Sequence, residues 1–228
     1  TADRDFVAEF CFACAMTQVH LSRLSEEVIL WASAEYGFLR LPDAFATGSS
    51  IMPQKKNADV AELARGRTGR LIGELTGILT TLKGLPLAYN RDLQEDKGYY
   101  LAAGRILIPT LQIFAAMLPA LEFDLPRMRQ AAGQGYALAT DIADYLVKKG
   151  MPFREAHTIV GRLVREAESR HCELAELPFE VYRAASNLFE PDVLAITVES
   201  SIAARDVPGG TAPTRVRDAA RELHALLT

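Results

Sequence analysis

The fold of the chain is decided around residues 48–57, Gly-Ser-Ser-Ile-Met-Pro-Gln-Lys-Lys-Asn, whose composition fits neither a helix core nor a solvated surface. We call residues 48–57 the Gly-Ser-Ser run. Its Gly48 allows unusual backbone angles, and its Pro53 breaks a preceding helix. Asn57 is a favourable N-cap for the segment with periodic apolar residues that follows. The pattern predicts a mobile loop that leads into a helix N-terminus, where free amides beside Lys55 suit an anion or developing negative charge. Composition alone leaves a plain polar connection between helices as the alternative.

Long helices are predicted on both sides of the run, over residues 3–36, 58–83 and 92–121. Their apolar residues alternate spacings of four and three, which is typical of left-handed bundle packing. We expect Pro109 and Pro119 to kink or divide the third helix. The predicted seam residues are Phe10, Cys14, Thr17, Leu21, Leu24, Val28 and Trp31 in the first helix, Leu71, Leu75, Ile78 and Leu82 in the second, and Leu107, Leu111, Phe114, Leu118 and Leu121 in the third.

The fold class predicted from this pattern is all-α, a long-helix bundle followed by a small all-helical domain. Three such helices cannot bury their apolar surface alone, so the bundle is expected to be completed by other chains. A boundary is predicted where a proline coincides with a change to shorter segments, which gives domains 1–123 and 124–228. The short helices of the second domain are predicted at 126–132, 138–149, 153–170, 178–189, 191–204 and 213–227.

Composition restricts the function classes. The formal net charge is −4 and no long Lys/Arg cluster is present in the sequence, so neither nucleic acid nor a membrane surface is an expected partner. No apolar run is expected to span a membrane, and no signal-peptide pattern is visible, which together predict a cytoplasmic location. Cys11 and Cys14 lie in an apolar helical stretch without a second pair, so they are expected to fill the core and no metal site is predicted.

Two stretches carry a resemblance to a known family. Residues 48–57 resemble the Gly-Ser-Ser-x-Met-Pro-x-Lys-x-Asn loop of the fumarase/aspartase superfamily. The Gln-Lys-Lys-Asn ending and residues 89–97, Tyr-Asn-Arg-Asp-Leu-Gln-Glu-Asp-Lys, are similar to the argininosuccinate lyase and delta-crystallin branch. The resemblance covers essentially the whole chain and aligns it with the C-terminal half of that family, so an N-terminal half is expected to be missing.

The resemblance implies a β-elimination that releases fumarate, with a base, fixed donors around a doubly charged carboxylate and an acid for the leaving group. Ser49 is implied to be the base, with Ser50 as the alternative or as a substrate contact. Lys55 and Asn57 match positions that bind the substrate carboxylate. Glu62 matches a glutamate that pairs with a histidine from another part of a tetramer, although a negative side chain near a helix N-terminus is also common without such a role.

The remaining candidates match substrate-binding positions of the family. Arg4 corresponds to an active-site arginine, and Tyr89, Gln94 and Lys97 correspond to residues that bind the arginine-bearing end of the substrate. Ordinary surface polarity is the alternative for all four. The general acid is expected upstream of Thr1, and no role is assigned to the four histidines, His20, His157, His171 and His224.

The leading functional prediction is cleavage of argininosuccinate into arginine and fumarate by a homotetramer whose active sites are shared between chains. No metal or organic cofactor is implied. Ala58 departs from the family, in which a proline usually follows the asparagine, and this makes the loop less preorganised. A delta-crystallin-like structural protein and a catalytically incomplete fragment remain the alternative functions.

Overall fold

The computed structural model of the chain describes residues 3–48, 51–52 and 56–227. The chain divides into two compact units, Thr1–Leu125 and Pro126–Thr228. Helices dominate both units, which confirms the all-α prediction.

Three long helices form the first unit: α1 (Asp5–Ala32), α2 (Asp59–Leu82) and α3 (Asp96–Met117). The α1 and α2 helices are antiparallel, because Glu26 near the end of α1 forms an ion pair of 2.5 Å with Arg65 near the start of α2. The α3 helix runs parallel to α1, since their first turns meet and their later turns share one core. The bundle therefore brings the start of α1, the end of α2 and the start of α3 to one end.

Two short antiparallel ladders accompany the bundle. Strand β1 (Leu39–Arg40) pairs with β4 (Glu122–Phe123), and β2 (Thr47–Gly48) pairs with β3 (Lys56–Asn57). Each strand has only two residues, too few to produce a recognisable alternation in the sequence. The second ladder joins the two ends of the Gly-Ser-Ser run.

The core of the first unit is rich in small side chains, which let the helices approach closely. Ala61, Ala64 and Ala103 are at most 2% exposed, and Cys11 and Cys14 are buried as predicted. Of the predicted seam residues, Cys14, Val28, Leu71, Ile78, Leu107 and Phe114 are buried, whereas Phe10, Leu111 and Leu118 are exposed.

The ends of α1 differ from the prediction. The helix begins at Asp5 with Arg4 as N-cap, and Asp3 makes no cap because its Oδ1 accepts a hydrogen bond from the Arg4 N–H at 2.9 Å. It ends at Ala32, short of Gly37, because the chain turns there to enter β1.

The third helix also differs from the prediction. Pro109 lies inside a continuous α3, because a proline removes only one backbone hydrogen bond and packing on both sides keeps the helix intact. A 3₁₀ helix over Arg91–Glu95 precedes α3, and another over Leu118–Ala120 follows it.

The stretch Arg91–Ala120 is long and apolar enough to cross a membrane by composition alone, contrary to the sequence expectation. In the structure its α3 packs against α1 and α2, and a core helix of a bundle meets the same criterion.

The second unit has its own apolar core. It contains α4 (Leu125–Ala132), α5 (Ala139–Lys148), α6 (Phe153–Arg170), α7 (Phe179–Ala185), α8 (Val198–Ala204) and α9 (Pro213–Leu227), with 3₁₀ helices over Leu174–Glu176 and Pro191–Ala195. The bounds of α6 and α9 agree with the prediction. The predicted helices at 178–189 and 191–204 are shorter in the structure, because extended residues at Ser186 and Ile196 interrupt them.

Candidate functional site

The Gly-Ser-Ser run is closed by the β2–β3 ladder, in which Thr47 lies opposite Asn57 and Gly48 opposite Lys56. The predicted N-cap role of Asn57 is wrong. Ala58 occupies the N-cap position without a side-chain cap, and α2 begins at the following residue. The ladder explains the difference, because it holds the Asn57 backbone one residue before the position from which its side chain would cap the helix.

Three predicted site residues of the run, Ser49, Ser50 and Lys55, lie outside the described residues. Their described neighbours Ile51 and Met52 are 86% and 42% exposed.

One ion pair and one hydrogen bond link the β2–β3 ladder to the neighbouring residues. The Lys56 ammonium contacts the Asp43 carboxylate, and hydrogen bonding and the charge of Lys56 lower the pKa of Asp43. The Thr47 hydroxyl donates to the Asp59 carboxylate in the first turn of α2. The Lys56 side chain is thus directed to Asp43.

Glu62 lies in the first turn of α2, as predicted, and is exposed. Its backbone N–H donates to Ala58 O at 2.9 Å. A carboxylate oxygen at this exposed position can accept a hydrogen bond from a partner group.

A cavity of about 490 Å³ adjoins the same ladder. Lys56 and Asn57, the second of which is the predicted carboxylate-binding asparagine, are among its lining residues. The other lining residues are Ala32, Ser33, Ala34, Leu39, Arg40, Leu41 and Ala46. Within residues 3–48, 51–52 and 56–227, His, Cys, Asp and Glu form no group of three that could hold a metal ion.

A second set of predicted residues meets at the opposite end of the bundle. The Arg4 Nε–H donates to Asp96 Oδ2, and the Lys97 ammonium lies 3.2 Å from Asp96 Oδ1. Burial raises the pKa of Asp96, but hydrogen bonds from Arg4 and Lys97 more than offset it, so the pKa lies below its usual value. We call Arg4, Asp96 and Lys97 the charge clamp.

Tyr89 and Gln94 lie in the same connection between α2 and α3. The Gln94 Nε2–H donates to Tyr89 Oη at 3.0 Å, and both side chains are exposed. Ala88 has a φ of +81°, a left-handed backbone angle that L residues rarely adopt, and this turn directs the chain into Tyr89. The structure therefore groups Tyr89 with Gln94, which precedes Asp96 by two residues in the chain.

The two sets lie at opposite ends of α2. We call the β2–β3 ladder with the first turn of α2 the hairpin end, and the charge clamp with Tyr89 and Gln94 the clamp end. The 24 residues of α2 separate them, which at 1.5 Å per residue is about 36 Å. One copy of the chain therefore does not bring its own two sets around a single small molecule.

The sequence analysis assigned no role to Asp96, although this residue joins two of the predicted substrate-binding positions. It lies inside the run at 89–97 that carries the resemblance, and that was the available signal. Its link to Arg4 spans 92 positions of sequence, and no local pattern predicts such a pairing.

Two family models match separate parts of the chain. Residues 136–203 match a family model described as argininosuccinate lyase C-terminal, and residues 1–73 match one described as lyase. An argininosuccinate lyase from Nitrosomonas europaea is 55% identical over 219 residues, covering 96% of this chain and 48% of that protein. One from Leifsonia xyli subsp. xyli is 56% identical over 219 residues, covering 96% and 46%.

Among solved structures, EDDS lyase in complex with formate matches with a TM-score of 0.80 and 30% identity, covering 98% of this chain and 47% of that one. The chain spans about half the length of the curated relatives it matches. The chain belongs to the argininosuccinate lyase family, and it corresponds to the C-terminal half of its members.

Proposed function

We propose that this chain supplies the C-terminal half of an argininosuccinate lyase, which cleaves argininosuccinate into arginine and fumarate. The observation that carries the proposal is the presence of both family stretches, residues 48–57 and 89–97, in a chain that is 55% identical to a curated argininosuccinate lyase. The first stretch supports elimination, and the second supports recognition of the arginine-bearing end.

The hairpin end performs the chemistry. Ser49 removes a proton from the carbon next to a carboxylate, the negative charge spreads onto that carboxylate, and the C–N bond of the neighbouring carbon breaks. The bond electrons leave with the nitrogen, which takes a proton from an acid and departs as arginine. Lys55 and Asn57 stabilise the carboxylate oxygens, where negative charge is greatest in the transition state.

The clamp end recognises the substrate. The charge clamp carries two cations and one carboxylate, which leaves one positive charge for a substrate carboxylate. Tyr89 Oη and the Gln94 amide add neutral donors and acceptors that can bind the amino acid and guanidinium groups. Such groups distinguish argininosuccinate from smaller succinyl compounds.

A homotetramer completes each site, because the hairpin end and the clamp end of one copy are about 36 Å apart along α2. The long helices also leave large apolar side chains exposed, which supports association through them. These are Phe6, Phe10, Phe12, Met16, Leu63, Ile72, Leu79, Leu101, Ile108, Leu111 and Ile113. The cytoplasmic location predicted from the sequence is part of the same proposal.

The alternatives make different predictions. A delta-crystallin-like structural protein would not need a reactive set, yet this chain retains Ser49, Lys55, Asn57 and Glu62. A catalytically incomplete fragment would assemble but would not turn over substrate by itself.

The test is release of fumarate from argininosuccinate, followed by absorbance. It is measured for this chain alone and for a hybrid in which the chain replaces the corresponding half of the Nitrosomonas europaea relative. We expect turnover by the hybrid and none by the chain alone, with aspartate and adenylosuccinate as comparison substrates. A folded hybrid that is inactive, or that prefers a comparison substrate, would overturn the proposal.

A further inference from the structure

We propose that Asp96 is a positioning residue, which holds Arg4 and Lys97 as a pair of cations at a fixed spacing for the substrate. The inference rests on the proposed function, because it assigns these two cations to the same substrate. It adds a residue for which neither the motifs nor the comparisons give a role.

Burial is the first support. Asp96 is 5% exposed and is the one carboxylate that is buried among residues 3–48, 51–52 and 56–227. A buried carboxylate is costly unless hydrogen-bonded and paired with cations. Its two oxygens are divided between two partners, Oδ2 to Arg4 and Oδ1 to Lys97.

Geometry is the second support. Arg4 precedes α1 and Lys97 lies in the first turn of α3, so Asp96 links the starts of two helices. Without the carboxylate between them, the two cations would repel each other and separate. Their side chains differ in exposure, 20% for Arg4 and 69% for Lys97, so Asp96 anchors a guanidinium within the bundle and leaves an ammonium facing solvent.

We expect the contact with Asp96 to favour substrate binding, because it holds Arg4 and Lys97 in place before the substrate arrives. Long cationic side chains lose rotamer freedom when they bind a ligand, and a carboxylate that already holds them removes part of this cost. Loss of Asp96 should therefore weaken substrate binding more than it slows the chemistry at the hairpin end.

The kinetic arm compares Asp96→Asn with Asp92→Asn in the hybrid enzyme. Asp92 is exposed in the preceding 3₁₀ helix, so it provides the same chemical change without loss of the clamp. We expect Asp96→Asn to raise KM for argininosuccinate at least about tenfold with kcat within about threefold, and Asp92→Asn to leave both unchanged. An unchanged KM, or a fall in kcat alone, would overturn the proposal.

The spectroscopic arm uses the chain by itself. A guanidinium Nε–H that is hydrogen-bonded to a buried carboxylate exchanges slowly with water and gives a distinct NMR signal, which Arg4→Lys assigns. We expect this signal in the wild type and in Asp92→Asn, and its loss in Asp96→Asn. Persistence of the signal in Asp96→Asn would show that Asp96 is not the anchor.

A second variant covers the case in which Asp96→Asn does not fold. Asp96→Glu keeps the charge but moves it by one methylene, so we expect a retained Arg4 signal with a raised KM. An Asp96→Glu enzyme with unaltered KM would contradict control of spacing. If the wild-type hybrid has no turnover while the Arg4 signal behaves as expected, the proposed function fails and the anchoring contact stands.

Discussion

The hairpin end and the clamp end of α2 are built differently. At the clamp end, a buried Asp96 already joins Arg4 and Lys97 within one chain. At the hairpin end, a two-residue ladder closes the Gly-Ser-Ser run, and Glu62 and Ile51 are exposed. The contrast is therefore between a buried ion-paired cluster at the clamp end and exposed described side chains at the hairpin end.

The largest expected effect is at the hairpin end. Ser49→Ala in the hybrid should abolish turnover while KM or substrate affinity changes little, because loss of a base affects the transition state more than the ground state. Steady-state kinetics and a binding titration of the variant measure the two quantities separately.

Ser50→Ala is the matched control for the base. It should retain most of kcat if Ser49 is the base and Ser50 only contacts the substrate. A fall in kcat of less than about tenfold for Ser49→Ala, which corresponds to about 1.4 kcal/mol, would transfer the assignment to Ser50.

Substitutions at the clamp end should reduce activity less than Ser49→Ala and should act mainly on substrate binding. Lys97→Ala or Gln94→Ala removes one or two polar contacts, which corresponds to about 1–3 kcal/mol in kcat/KM for argininosuccinate. Kinetics with saturating and limiting substrate separate the effect on KM from that on kcat. Equal losses of kcat in these variants and in Ser49→Ala would remove the distinction between the two ends.

The C-terminal part of α2 provides a test of how closely α2 packs against α3. A Cβ added at Gly77 would overlap the Tyr99 ring of α3 and lie 2.9 Å from its Cδ1. Gly77→Ala should therefore reduce the free energy of unfolding by about 1–3 kcal/mol. Urea unfolding of the chain measures this change.

Gly73, one turn earlier, is the control. A Cβ at this position meets no described atom within 4 Å, so Gly73→Ala should stabilise the chain by about 0.5–1 kcal/mol through helix propensity. Equal stability changes in the two variants would mean that α2 and α3 do not pack as closely as described.

The pH dependence of stability sharpens the comparison further. The pKa of Asp96 is lowered in the folded chain. Its ionised form therefore stabilises the fold fully at pH values above the unfolded-state pKa of an aspartate, which is about 3.9. This contribution is lost as pH falls through the lower, folded-state pKa. The stability difference between wild type and Asp96→Asn should therefore shrink on acidification, whereas a constant difference across pH would exclude this linkage.

Much of the fold could be predicted from the sequence. Four-three spacing located the long helices because one face of each must pack against its neighbours, and α6 and α9 have the predicted bounds. The prediction failed in segments too short to show a repeat in the spacing of their apolar residues. Two-residue strands such as β3 produce no alternation, and therefore Asn57 was misassigned as a helix cap.

The sequence predicted which residues belong to the candidate site through its two motifs, but it did not predict the contacts between distant residues. The resemblance supplied Ser49, Lys55, Gln94 and Lys97, all of which stay proposals. The pairing of Arg4 with Asp96 results from the parallel packing of α1 and α3, which brings the starts of these two helices together, and the sequence does not contain that geometry locally.

The proposed sharing of sites has one direct test. Two hybrid variants, Ser49→Ala at the hairpin end and Lys97→Ala at the clamp end, are unfolded together and refolded as a mixture. If each site takes its two ends from different copies, about one site in four of the mixed assemblies is intact, and activity at limiting substrate should recover to about a quarter of wild type. A mixture no more active than the average of its two parents would contradict the assembly of sites from opposite ends of α2 in different copies.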